Sequence, residues 1–81
     1  MTRAERDAVL AATPTDDVDA GLRVLLAQLE AHGELDRALC VELAHLTGDA
    51  AALWERLIAA RAAWRRERGL PPSPMPFMLG E

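Results

Sequence analysis

The chain reads as an all-α protein, and three observations carry that reading. Ala, Leu, Glu and Arg, all strong helix formers, dominate the 81 residues, whereas β-branched and aromatic residues are scarce. Leucines recur at steps of three and four in three successive segments. Glycine or proline punctuates each segment, with a capping residue ahead of the next. The expected architecture is a small bundle of three main helices, at about 16–32, 34–46 and 50–68. A short N-terminal helix at about 3–12 precedes them, and an extended, proline-rich arm follows over 70–81. Residues 1–69 form a single helical domain in this reading.

The first helix rests on "TRAERDAVLAA". Thr2 with Glu5 three residues later is a capping-box pattern. Ala4, Ala8 and Ala11 share a side with Val9 and Leu10 beside them, a thin apolar face for a helix too short to stand alone. Pro14 in "TPTDD" breaks the pattern by forcing Thr13 out of helical geometry. Thr15, Asp16 and Asp17 supply N-cap oxygens, and the nearby acids suit the positive end of a helix.

The second helix carries Val18, Leu22, Leu25, Leu26 and Leu29 as its stripe and ends at Gly33. Gly21 inside it costs about 1 kcal/mol against alanine; it either admits a neighbouring helix closely or is drift. The third helix offers Leu35, Leu39, Leu43 and Leu46, broadened by Ala38 and by Val41 or Cys40, and stops at Gly48. Asp49 caps the fourth, whose stripe is Leu53, Trp54, Leu57, Ile58 and Trp64 with Ala60 between. Gly69 closes it. The connections between the last three helices are short, so sequential helices pack on one another.

Small domains bury little surface and lean on disulfides, metals or association. Cys40 is the one cysteine, so no disulfide forms within the chain. Cys40, His32 and His45 lack paired-ligand spacing, so no metal and no cofactor is expected. Self-association or a protein partner is the expected source of further stability.

Candidates for catalysis are thin. No glycine-rich phosphate loop is present. Cys40 sits mid-helix between Leu39 and Val41 and reads as a small buried hydrophobe. His32 and His45 fall in last turns, where histidine complements the helix dipole. The expectation is that the protein is not an enzyme.

The formal net charge is −4, which argues against a general nucleic-acid coat. Its distribution is uneven. Residues 1–49 hold four Arg against ten Asp and Glu, and residues 50–81 hold five Arg against three Glu. "MTRAERDAVL" lacks the apolar core of a signal peptide, and no run reaches the length of a membrane span. A cytoplasmic protein without membrane contact is expected. All nine basic residues are arginine, which reads as a trace of GC-rich, bacterial coding.

The candidate site lies at the end of the fourth helix. Arg61, Arg65 and Arg68 are spaced four and three apart on one face, with Arg66 and Arg56 elsewhere around the helix. A helix terminus gains about 0.3–1 kcal/mol from basic residues in its last turn, and four arginines within eight residues exceed that need. Trp54 and Trp64 are ten positions apart and so lie on flanks about 80° apart. Trp54 belongs to the core stripe; Trp64, among the arginines, sits where an interface anchor would. The arm adds Met75, Phe77, Met78 and Leu79 in an apolar, proline-stiffened segment unlike an ordinary polar tail. It would insert into a groove of another protein, fold back over its own helices, or swap onto a sister subunit.

"RALCVELAHLTGDAAALWERLIAARAAWRRE", residues 37–67, resembles the last two helices of the small helix-turn-helix antitoxins of the HigA kind. The resemblance implies a DNA-associated regulator with the Arg61–Arg68 face on phosphate. The preceding stretch "GLRVLLAQLEAHG" departs from that pattern, having no Ser, Asn or basic cluster to enter a groove. The functional expectation is therefore a non-catalytic interaction module, an adaptor, assembly factor or accessory subunit. It would dock a protein partner or a second copy of itself through Arg61, Trp64, Arg65, Arg68 and the arm. Nucleic acid is the alternative partner.

Overall fold

Four helices account for about three quarters of the described chain, residues 1–74 of a computed structural model: α1 (Arg3–Ala12), α2 (Val18–His32), α3 (Arg37–Thr47) and α4 (Ala50–Glu67). No strand occurs among the described residues. The all-α class and the order of elements agree with the sequence reading. Met75, Phe77, Met78 and Leu79 lie outside the described residues.

Helix starts are set by side chains that accept from otherwise orphaned backbone amides. Asp17 accepts from Ala20, Asp36 from Leu39 and Asp49 from Ala52, at 3.0–3.1 Å. Two of these caps shift the expected boundaries. The second helix starts at Val18 rather than 16, because Asp17 is the cap and Asp16 stands at φ 56, outside helical geometry. The third starts at Arg37 rather than 34, because Asp36 takes the cap and leaves Leu35 in the connection. Thr2 caps α1, its hydroxyl accepting from the Glu5 amide at 3.2 Å. Gly33 and Gly48 close α2 and α3 in the left-handed conformation, their amides donating to the Leu29 and His45 carbonyls.

The core is a leucine layer. Leu25 and Leu29 of α2, Leu39 and Leu43 of α3, and Leu53 and Leu57 of α4 are essentially sealed from solvent, with Cys40 beside them. Helices α2, α3 and α4 each pack on the other two, and α1 lies on α3. Helix α1 has no buried residue of its own; Val9 and Leu10 reach the edge of the core. Arg6 also extends across to Glu42 of α3 at 3.6 Å.

Three residues expected on the apolar faces differ. Ile58 is 41% exposed, because Leu53 and Leu57 already define the inward line of α4 and Ile58 falls one position off it. Trp54 is only partly buried for the same reason. Ala38, expected to broaden the face of α3, is exposed, and its place is taken by Cys40, Ala44 and Thr47.

Gly21 is explained by close approach. A Cβ built there would stand 2.7 Å from Cγ2 of Thr47. Thr47 is buried, and its hydroxyl is held by the Ala44 carbonyl at 3.0 Å, so the methyl cannot swing aside without breaking that bond. The start of α2 therefore seats against the end of α3 only because residue 21 has no side chain.

Cys40 is packed on all sides. Burial, and secondarily the charge of Asp36, push its thiol up to about 12, so it stays neutral and acts as a small apolar core residue.

Candidate interaction surface

Helix α4 ends in a Schellman arrangement: the Gly69 amide donates to the Arg66 carbonyl at 3.1 Å and the Leu70 amide to the Arg65 carbonyl at 2.9 Å. Gly69, at φ 70, supplies the left-handed step that this turn needs. The chain is thereby reversed onto its own helix. From there, Leu70, Pro71 and Ser73 each precede a proline, which confines them to extended geometry, while Pro71, Pro72 and Pro74 have φ fixed by their rings.

The arm is then held by arginine. Arg65 Nε donates to the Pro71 carbonyl at 2.8 Å, and Arg61 Nη1 donates to the Ser73 carbonyl at 2.9 Å. The match follows from pitch. Two residues of a polyproline-type strand advance about 6 Å, and four residues of α-helix also advance about 6 Å. Alternate carbonyls of the arm thus meet arginines one turn apart, with the arm antiparallel to α4. Prolines in the arm leave carbonyls with no partners of their own, and guanidinium groups suit them. Burial, and then the neighbouring charge of Arg65, hold the Arg61 guanidinium below its ordinary value.

Arg68 does something different. Its Nη2 meets Oε2 of Glu30, on α2, at 2.7 Å, and its guanidinium lies over the Trp64 ring, 4.2 Å from the centroid. Trp64 is partly buried, and its indole nitrogen is shielded from solvent with no acceptor among the described residues. Leu29, Glu34 and Leu35 join Arg61, Trp64 and Arg65 around a cleft of about 220 Å³ beside it. The structure thus brings Arg61, Trp64, Arg65 and Arg68 together and divides their roles. Two arginines bind the arm, and one links α4 to α2 across the indole. Arg66 is exposed, and its side chain makes no ion pair or hydrogen bond with another described residue.

Between the arm and α4 lies a trough of about 290 Å³, lined by Ala62, Arg65, Arg66, Leu70, Pro72, Ser73 and Pro74. Leu70, which lines it, is 40% exposed, and Ile58, one helical turn before the lining residue Ala62, is 41% exposed. Leu70 and Glu30 did not stand out in the sequence, and Ile58 was expected in the core stripe rather than at the surface. For Ile58 the signal was there, since the four-residue step from Leu53 to Leu57 excludes it. For Glu30 there was none, because it reaches Arg68 from thirty-eight positions away.

The described residues contain no group of His, Cys, Asp and Glu that could hold a metal ion, and no helix among them is long and apolar enough to cross a membrane. A scan against protein-family models gives no match, and searches of the curated proteins and of the solved structures give none either. The likeness of residues 37–67 to antitoxin helices has no counterpart in those comparisons.

Proposed function

We propose that the chain is a non-catalytic helical interaction module that docks on another polypeptide through the outer side of α4 and the arm fastened to it. One observation carries this reading: Arg61 and Arg65 are spent on the carbonyls of Ser73 and Pro71. A proline-rich segment held in one conformation loses little entropy on binding. Its apolar side chains stay at the surface, all five residues from Leu70 to Pro74 being exposed. The arginine cluster, on this reading, exists to present the arm.

The same observation weighs against phosphate as the target. Arg61 and Arg65 are committed to the arm and Arg68 to Glu30, which leaves Arg66 alone at this end, on a chain of net charge −4. Nucleic-acid surfaces need several free cations.

The test is a photo-crosslinking residue placed at Leu70, in cells of the native host, with and without Arg61→Ala/Arg65→Ala. A discrete protein adduct that disappears in the double variant is expected. Salt-sensitive binding of the purified chain to a short DNA duplex, lost in Arg66→Ala, with no protein adduct, would overturn the reading.

A further inference from the structure

The outer face of α4 has a partner that the structure itself suggests. Ala51, Glu55, Ile58, Ala59, Ala62 and Arg66 all lie on one side of the helix, and all are exposed. At its centre stands Ile58, the most exposed large apolar residue of the helix at 41%. At its two ends stand opposite charges. Glu55 and Arg66 are about three helical turns apart, so they point the same way, and neither side chain is in an ion pair with another described residue. The other arginines of α4 and its cap differ: Arg56 pairs with Asp19 and Arg68 with Glu30, while Arg61 and Arg65 hold the arm.

We infer that this face docks on the same face of a second copy of the chain, with the two α4 helices antiparallel about a two-fold axis. Taking the axis between residues 60 and 61 puts Glu55 opposite the partner subunit's Arg66, and Arg66 opposite the partner subunit's Glu55. Ala59 and Ala62 meet at the axis, where small side chains let the helices approach. Ile58 then falls level with the middle of the trough formed by Ala62, Leu70, Pro72 and Pro74 of the other copy. A two-fold that turns one helix antiparallel to the other keeps the arm side of each on the same side of the pair. Ile58, which lies on the arm side of the stripe, therefore meets the trough and not the opposite flank. Projection and recess occur on one face, once each, and both are used twice by the symmetry. An unrelated partner would not require this self-complementarity of charge and shape.

This inference rests on the reading of α4 and the arm as an interaction surface, and commits that surface to a second copy. The experiment is sedimentation equilibrium of the full chain, with circular dichroism to confirm helicity in each variant. The wild-type chain is expected to be a dimer. Ile58→Asp should weaken self-association by about tenfold or more, as loss of a central apolar anchor does. Glu55→Arg and Arg66→Glu should each weaken it several-fold by setting like charges against each other. Glu55→Arg/Arg66→Glu together should restore it, because the swapped charges pair again across the axis. Monomeric wild-type protein at all concentrations overturns the inference, as does a dimer indifferent to Ile58→Asp. So does a double charge swap no better than the singles. If the chain is monomeric yet the Leu70 crosslink to a host protein forms, the dimer falls and the docking module stands.

Discussion

The two halves of α4 are built on different physics. From Ala50 to Leu57 the helix is part of the core, with Leu53 and Leu57 closed off from water between α2 and α3. After Ala60 no residue is fully buried, and the helix is dressed instead with guanidinium groups that fasten the arm, Glu30 and the indole of Trp64. Burial of a leucine contributes about 1.5–3 kcal/mol and has no direction. Exposed guanidinium contacts contribute far less but fix geometry. The first half therefore holds the fold together, and the second half positions a surface. A chain of this size has little stability to spare, so the division can be tested by truncating one side chain at a time.

The largest effect belongs to the first half. Leu57→Ala should lower unfolding free energy by about 2–5 kcal/mol in urea titrations, through lost burial and the cavity left behind. A loss comparable to that of a surface substitution would mean that the core is not where Leu57 places it.

Gly21→Ala comes next. The added methyl meets Thr47 at 2.7 Å, and overpacking of this kind costs about 1–3 kcal/mol, against about 1 kcal/mol returned by helix propensity. A net loss is expected, and Gly21→Ala/Thr47→Ser, which removes the opposing methyl, should recover part of it. A stabilised single variant would sink the close-approach explanation.

Cys40 gives a pH test of the same core. Its thiol is raised from 9.0 to about 12 in the fold, so the native state keeps a proton that the unfolded chain gives up above pH 9. The contribution is fully present below pH 9 and is lost as pH rises toward 12, with a slope of up to about 1.4 kcal/mol per pH unit. Cys40→Ala should be less stable at neutral pH but should lack this component of the alkaline decline, measured as urea midpoints from pH 8 to 11.

The second half should show the reverse pattern. Arg61→Ala/Arg65→Ala should change stability by no more than about 1 kcal/mol, while protease cleavage near Leu70 accelerates as the arm loses its two fastenings. Cleavage unchanged from wild type would show that the proline geometry alone keeps the arm in place. Arg68→Ala should do least to the arm and should instead alter Trp64 fluorescence, since the cation over the ring is gone.

Much of the fold was legible because its determinants are local. The alternation of leucine stripes with Gly33, Gly48 and Asp49 names the helices; Asp17 stood among three candidate caps and Asp36 was not singled out, so two starts moved by two or three residues. The cluster of Arg61, Trp64, Arg65 and Arg68 was also legible as a surplus of charge on one face. What the charges touch was not. Nothing in the spacing of arginines distinguishes a site waiting for an anion from one already occupied by the carbonyls of its own chain.

By itself, then, the sequence determined four helices, the glycines that end the later ones, a leucine core and a proline-rich segment after them, because each follows from contacts within a few residues or from simple periodicity. Tertiary structure alone decided that Gly21 faces Thr47, that Glu30 reaches Arg68, that Ile58 is left outside, and that the arm turns back to lie on Arg65 and Arg61. Those outcomes depend on which segments meet in space. A guanidinium binds any oxygen brought within reach, so its role is settled by the chain that arrives beside it.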